Sequence, residues 1–184
     1  MPANVTPVVL LKELDAHARA REGRGQHRTL QKTTEWRGLG FKIGETELIV
    51  NMDQVSEILE TVNCTRIPWS RFWFYGIANV RGTLVPIMDV HGYLYDTRRT
   101  VKRGDRTILF RLGTSLVGLV VTGVTGLKNL SAEEFVNAQA IVDEKLAPYT
   151  KGHFRRGYDS WPVFDFHAFT MNEKFLDIAE RQHA

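Results

Sequence analysis

The chain has 184 residues, a formal charge of +3, and 43% hydrophobic against 24% charged residues, the balance of a globular domain able to bury a core without covalent staples. The single cysteine, Cys64, excludes an internal disulfide and a cysteine cage for a metal. No apolar run approaches the roughly 18 residues of a membrane span, and Lys12, Glu13 and Asp15 interrupt the start where a secretory leader needs continuous apolar residues, so a cytoplasmic chain without direct membrane insertion is expected.

Thr6 and Pro7 form a helix start, with the hydroxyl as cap and proline at the first helical position. Val8, Leu11 and Ala18, with Leu10 and Leu14, then give an apolar stripe that ends near Gly23. The following segment is rich in turn formers and basic. Residues 19–32 carry five cations (Arg19, Arg21, Arg24, Arg28, Lys32) against Glu22, a net of +4. Residues 98–106 also carry five cations (Arg98, Arg99, Lys102, Arg103, Arg106) against Asp105, again +4, which leaves about −5 for the rest of the chain. The basicity therefore belongs to two short segments, the second of which reads as a solvated loop.

From Gly38 the pattern changes to short β-rich runs separated by turn residues. Strands are predicted over 39–43, 47–50, 56–59, 74–80, 83–88, 107–112, 116–122 and 161–166, with corners at Gly44, Gly82 and Gly113. Asn51 with Gln54 resembles a capping box, so a helical turn is expected there. A last helix is expected near 168–180. This order indicates an all-β fold of barrels or a sandwich with terminal helices.

One internal echo carries more weight than any lone motif. VPIMDVHGYL from Val85 and WPVFDFHAFT from Trp161 match position by position at an offset of 76 residues, which points to two related units. In each, the aspartate (Asp89, Asp165) reads as the cap of a short helix, and the proline (Pro86, Pro162) suggests an edge strand.

Catalytic chemistry finds little support. Asp89 with His91 and Asp165 with His167 could be drawn as two halves of a metal site, but capping aspartates and first-turn histidines diverge, and no H-E-x-x-H occurs. There is no phosphate loop, the glycines of GLGFKIG are misspaced for a dinucleotide fingerprint, and no serine sits in a G-x-S-x-G elbow. No catalytic residue, cofactor or metal ligand is assigned. The aromatic run PWSRFWFYG from Pro68 could stack bases, yet it lacks the RNP1 pattern and carries one arginine, so core plus one exposed edge is the simpler reading and no nucleic-acid partner is expected. A nucleic-acid-binding double barrel and an Asp/His hydrolase or metalloenzyme stand as the competing classes.

The residues Gly76, Asn79-Val80-Arg81-Gly82 and Pro86-Ile87-Met88-Asp89-Val90 form the pattern G-x-x-N-[LV]-R-G…P-[IV]-x-D-[LV]. VSEIL at Val55, LVGLVVTGVTGL at Leu116 and PYTKG before the final strand add three more blocks in order. Together they resemble the CheW-like coupling proteins of bacterial chemosensory arrays over about Gly38 to Leu176, with Thr122 standing where the family usually has an acidic residue. The flanking segments are most similar to the variant that serves twitching motility; a flagellar chemotaxis role is the alternative. The resemblance implies two intertwined five-stranded SH3-like β-barrels over 38–176, an N-terminal helix and linker over 1–37, and a tail over 177–184. It also implies a scaffold without enzymatic activity, joining the cytoplasmic tip of methyl-accepting chemoreceptors to the regulatory domain of a CheA-type histidine kinase. By the same resemblance Arg81 pairs with Glu57, and Val55, Ile58, Asn79, Arg81 and Gly82 meet partners. A guanidinium at an apolar strand end favours such a bidentate carboxylate, with Gly82 supplying the turn.

Overall fold

Alternating apolar and polar residues build eleven strands, which hydrogen-bond into two sheets. The computed structural model describes residues 35–60 and 62–178. The expected N-terminal helix, most of the linker and the end of the tail lie outside the described residues. The first sheet, barrel 2, contains β1 (Glu35–Ile43), β2 (Thr46–Asn51), β8 (Gly123–Ser131), β9 (Phe135–Val136), β10 (Thr150–Arg156) and β11 (Asp159–Phe164) in the order β8-β1-β2-β11-β10-β9. The second, barrel 1, contains β3 (Val55–Leu59), β4 (Phe74–Val80), β5 (Thr83–Asp89), β6 (Arg106–Leu112) and β7 (Ser115–Val121) in the order β3-β6-β7-β5-β4. The chain thus begins barrel 2, builds all of barrel 1, and returns to complete barrel 2. That interleaving is the intertwined all-β arrangement that the resemblance implies, with barrel 2 holding six strands because the two-residue β9 adds to it.

Side-chain alternation sorts the core into three clusters. Ala78, Val85, Ile87, Leu109 and Val120 pack within barrel 1, and Ile49, Leu130, Phe154 and Val163 pack within barrel 2. The largest cluster joins the sheets: Leu39, Phe41, Leu48 and Val50 from barrel 2 meet Ile108, Phe110, Val117 and Leu119 from barrel 1. Because successive side chains of a strand point to opposite faces, Ile49 serves its own barrel while Leu48 and Val50 serve the junction. Phe110 stacks on Phe166 with ring centroids 4.4 Å apart, so the helix after β11 is fastened to barrel 1.

The helices are short. Asp89 caps α1 (Val90–Tyr95) by accepting from the His91 N–H at 3.2 Å, and Asp165 caps α2 (Phe166–Thr170) by accepting from the Ala168 N–H at 3.1 Å. Asn51 caps the single turn Met52–Gln54 by accepting from Asp53 N–H. The final helix is not continuous: Met171 ends one piece, and Asn172 caps the next, α3 (Glu173–Leu176).

Neither proline marks an edge. Pro86 lies on β5, between β4 and β7, and Pro162 lies on β11, between β10 and β2. Each faces its antiparallel neighbour, and the parallel pairing begins one residue later, at Ile87↔Gly118 and Val163↔Ile49. A missing N–H costs nothing where the second ladder has not yet started. The predicted strands omit β8, β9 and β10: GVTGLKNLS is rich in glycine, TKGHFRR is rich in charge, and β9 has only two residues; pairing with β1, β10 and β11 overrides that composition.

Candidate functional site

β4 and β5 meet in a two-residue hairpin whose flanking residues Val80 and Thr83 pair. Arg81 and Gly82 both take positive φ, +52° and +87°, as a primed hairpin turn requires. Asn79 stabilises the turn by accepting from the Gly82 N–H at 2.8 Å through its side-chain oxygen. From this tip Arg81 donates through Nη2 to Oε1 of Glu57 at 2.6 Å. Glu57 belongs to β3 and Arg81 follows β4, the two edge strands of the five-stranded order, so the contact spans the seam of barrel 1.

The environment of the pair differs from the sequence expectation. The Arg81 side chain is 79% exposed and that of Glu57 27% exposed, so the guanidinium stands in solvent rather than in an apolar strand end. A surface pair of this kind contributes about 0–1 kcal/mol. Ile58, next to Glu57 in β3, and Leu84, opposite Asn79 in β5, are exposed apolar side chains, Leu84 at 69%. Val55 is no surface position: it is 4% exposed and packs in the junction core. The register of β3 shifts between Val55 and Glu57, and this bulge breaks the alternation that would have put both on one face.

The basic segment 98–106 is largely solvated, as read from the sequence, with Arg98, Lys102 and Arg103 exposed, but Arg99 and Asp105 turn inward. Arg99 donates through Nε to Asp89 at 3.0 Å and through Nη1 to Asp105 at 2.6 Å, with only 15% of its side chain exposed. Asp105 also accepts from the Lys102 backbone N–H at 2.8 Å, and Tyr75 donates its hydroxyl to the second oxygen of Asp89 at 3.1 Å. Burial, reinforced by the Asp89 charge, pushes the Tyr75 phenol well above its ordinary range. Asp89 is therefore both a helix cap and one arm of a buried ion triad. No spacing rule reveals this triad, because Arg99 is one of five cations in nine residues and only tertiary closure selects it.

Both Asp89 oxygens are occupied, His167 is exposed, and among the described residues no three His, Cys, Asp or Glu groups converge as a metal site would require. Cys64 is half-buried, and that burial pushes its thiol up, away from nucleophilic character. Of the aromatic run, Trp73 and Phe74 are buried and Trp69 is 70% exposed, the core-plus-edge arrangement. Thr122 has a role of its own, donating its hydroxyl to the carbonyls of Lys42 and Gly44 at 3.0 and 3.1 Å and tying the β7–β8 crossover to the β1 turn.

With this geometry in place, the model of the CheW-like domain matches residues 37–173. The chain belongs to the CheW-like family. It is 31% identical to Protein PilI of Pseudomonas aeruginosa over 95% of this chain and 97% of that protein. It is 32% identical to the chemotaxis protein CheW of Klebsiella aerogenes over 61% of this chain and 68% of that protein. Among solved structures, the scaffolding protein TtCheW from Thermoanaerobacter tengcongensis matches with a TM-score of 0.67 and 19% identity, covering 77% of this chain and 96% of that one, and so supports the fold. The chain is a CheW-like scaffold of the chemosensory kind, and CheW-like proteins are non-catalytic. No helix among the described residues is long and apolar enough to cross a membrane.

Proposed function

We propose that this chain couples methyl-accepting chemoreceptors to a CheA-type histidine kinase in the cytoplasm, at receptor arrays on the inner membrane, in a pathway that controls type IV pilus twitching. The observation that carries the site is the seam of barrel 1. There an exposed Arg81 is held by Glu57, and Ile58 of β3 and Leu84 of β5 are exposed apolar side chains of the same barrel. An arginine in solvent at a strained backbone angle contributes little to stability, and such outliers concentrate where a surface works. Asn79 and Gly82 set the turn, Ile58 and Leu84 offer apolar area, and Val55 supports β3 from beneath. Weak contacts of this size suit an array, where effective concentration does the assembling.

The twitching assignment rests on the reach of the similarity to PilI, which spans 95% of the chain, against 61% for the Klebsiella CheW. The site test is Arg81→Ala. Binding to a purified CheA-type regulatory domain or to a receptor tip should weaken about tenfold, roughly 1.4 kcal/mol, while the urea midpoint reports a stability change below about 1 kcal/mol. Unchanged binding to both partners sinks the reading. A deletion strain should lose twitching zones and keep swimming rings; the reverse result assigns the flagellar pathway.

A further inference from the structure

Barrel 1 presents a further surface that the seam does not use. The turn at residues 66–72 is pinned at both ends. Thr65 and Ile77 exchange backbone hydrogen bonds at 2.8 and 3.0 Å, and the Arg71 N–H donates to the Ile178 carbonyl at 2.8 Å. Within it, Ser70 donates its hydroxyl to the Ile67 carbonyl at 2.7 Å. At its apex Trp69 takes φ +58° and is 70% exposed. A bulky aromatic in the left-handed region is strained, and here the strain turns a large apolar ring toward water instead of into a core.

The 96–105 segment lies against this turn, with the Arg98 guanidinium 5.4 Å from the centroid of the Phe72 ring. The buried triad of Arg99, Asp89 and Asp105 fixes the segment from beneath. What remains outside is Arg98, Lys102 and Arg103, all exposed, together with Arg66 on the neighbouring turn. None of these four is in an ion pair with a carboxylate of the described residues, and Asp96 is the exposed carboxylate of that segment. This contrasts with the body around it. Residues 1–34 hold six Lys/Arg and three Asp/Glu, and residues 179–184 one of each, so the total charge of +3 lies in the first segment and residues 35–178 are neutral.

We infer that barrel 1 carries a second docking surface, formed by Arg66, Trp69, Phe72, Arg98, Lys102 and Arg103, which takes an acidic peptide segment of a protein partner with an apolar anchor against Trp69. Charge complementarity sets the sign of the occupant. It also excludes this chain's own basic 19–32 run, which carries the same sign. A neutral body bearing four separated cations and one large ring suits a short peptide better than a phosphate backbone, which calls for an extended positive stripe. The buried triad gives the surface its rigidity: ordering is complete before binding, so less is lost on association.

The test uses the full chain on an array of short synthetic peptides, each with one Leu or Phe flanked by Asp and Glu, beside matched copies carrying Asn and Gln. The acidic peptides should bind at least about tenfold better than their amide copies. The Arg98→Glu/Arg103→Glu variant should reduce that preference to near unity with an unchanged unfolding midpoint. Trp69→Ser should abolish the dependence on the anchor and keep the dependence on charge. Arg81→Ala should leave all of this in place, which separates the surface from the seam. Equal binding of acidic and amide copies overturns the inference. So does tighter binding to an oligothymidylate or an anionic phosphatidylglycerol vesicle, or a chain dimer that Trp69→Ser dissolves.

Discussion

The hairpins β4–β5 and β10–β11 are two versions of one design, 76 residues apart. Gly76 and Gly152 both take positive φ at a register shift, and each gives way to a crossing strand. At Gly76 that strand is Thr65, bridged to Ile77; at Gly152 it is β9, bridged to His153. Asp89 N–H donates to the Trp73 carbonyl as Asp165 N–H donates to that of Tyr149. The electrostatics then diverge. Asp89 is buried in a triad with Arg99 and Asp105, whereas Asp165 has a partly exposed Lys151 at 3.5 Å. At the seams, Arg81 makes a single contact to Glu57, while Arg156 grips Glu134 with two, at 2.5 and 2.9 Å, and also donates to the Asn129 carbonyl. One backbone plan therefore tolerates different uses: barrel 1 buries a charge triad at the foot and holds its exposed tip by a single contact, whereas barrel 2 has a partly exposed pair at the foot and a doubly held arginine at the tip.

Substitutions can break this comparison, and the foot of the hairpin gives the largest effect. Asp89→Ala leaves Arg99 buried with half its partners, and should cost about 3–5 kcal/mol. Asp165→Ala removes a helix cap and should cost about 1 kcal/mol. Equal urea midpoints for the two would deny the asymmetry. Next comes the crossing strand. A Cβ at Gly76 would meet the Thr65 carbonyl oxygen at 2.2 Å, whereas one at Gly82 would meet nothing within 4 Å, although both residues have positive φ. Gly76→Ala should therefore cost about 2–4 kcal/mol, combining backbone strain with overpacking, and Gly82→Ala about 1 kcal/mol. Thermal melts of the two variants rank them directly.

The smallest effect lies at the barrel 2 seam. The Arg156 guanidinium, with help from the Ser131 N–H, lowers the Glu134 carboxyl from 4.5 to about 2. A carboxylate with a depressed folded value stabilises the fold above its unfolded value, and that contribution disappears as pH falls from about 4.5 toward 2. Carboxyl NMR titration should find Glu134 midway near 2, and Arg156→Gln should restore an ordinary carboxylate value. A wild-type midpoint in the ordinary range would remove the distinction between the two seams.

Strand periodicity, the Pro–Asp echo and the capping aspartates were legible because they are local: alternation, cap chemistry and hairpin glycines act over a few residues. The N-x-R-G tip was legible for the same reason, since Asn79 and Gly82 serve one turn. The site residues fared unevenly. Ile58 and Arg81 stand exposed, but Val55 went inward because a bulge in β3 reset the register, and no pattern within five residues announces a bulge.

By itself, then, the order of residues determined that this chain would be built of short strands in two related units, each with a proline followed by a helix-capping aspartate, because those features need only neighbours. Only the folded arrangement decided which strands lie between two partners, which of five clustered cations is buried, and which tryptophan faces water. Those outcomes depend on groups brought together from distant parts of the chain, where desolvation and pairing with a particular partner, rather than local propensity, select the winner.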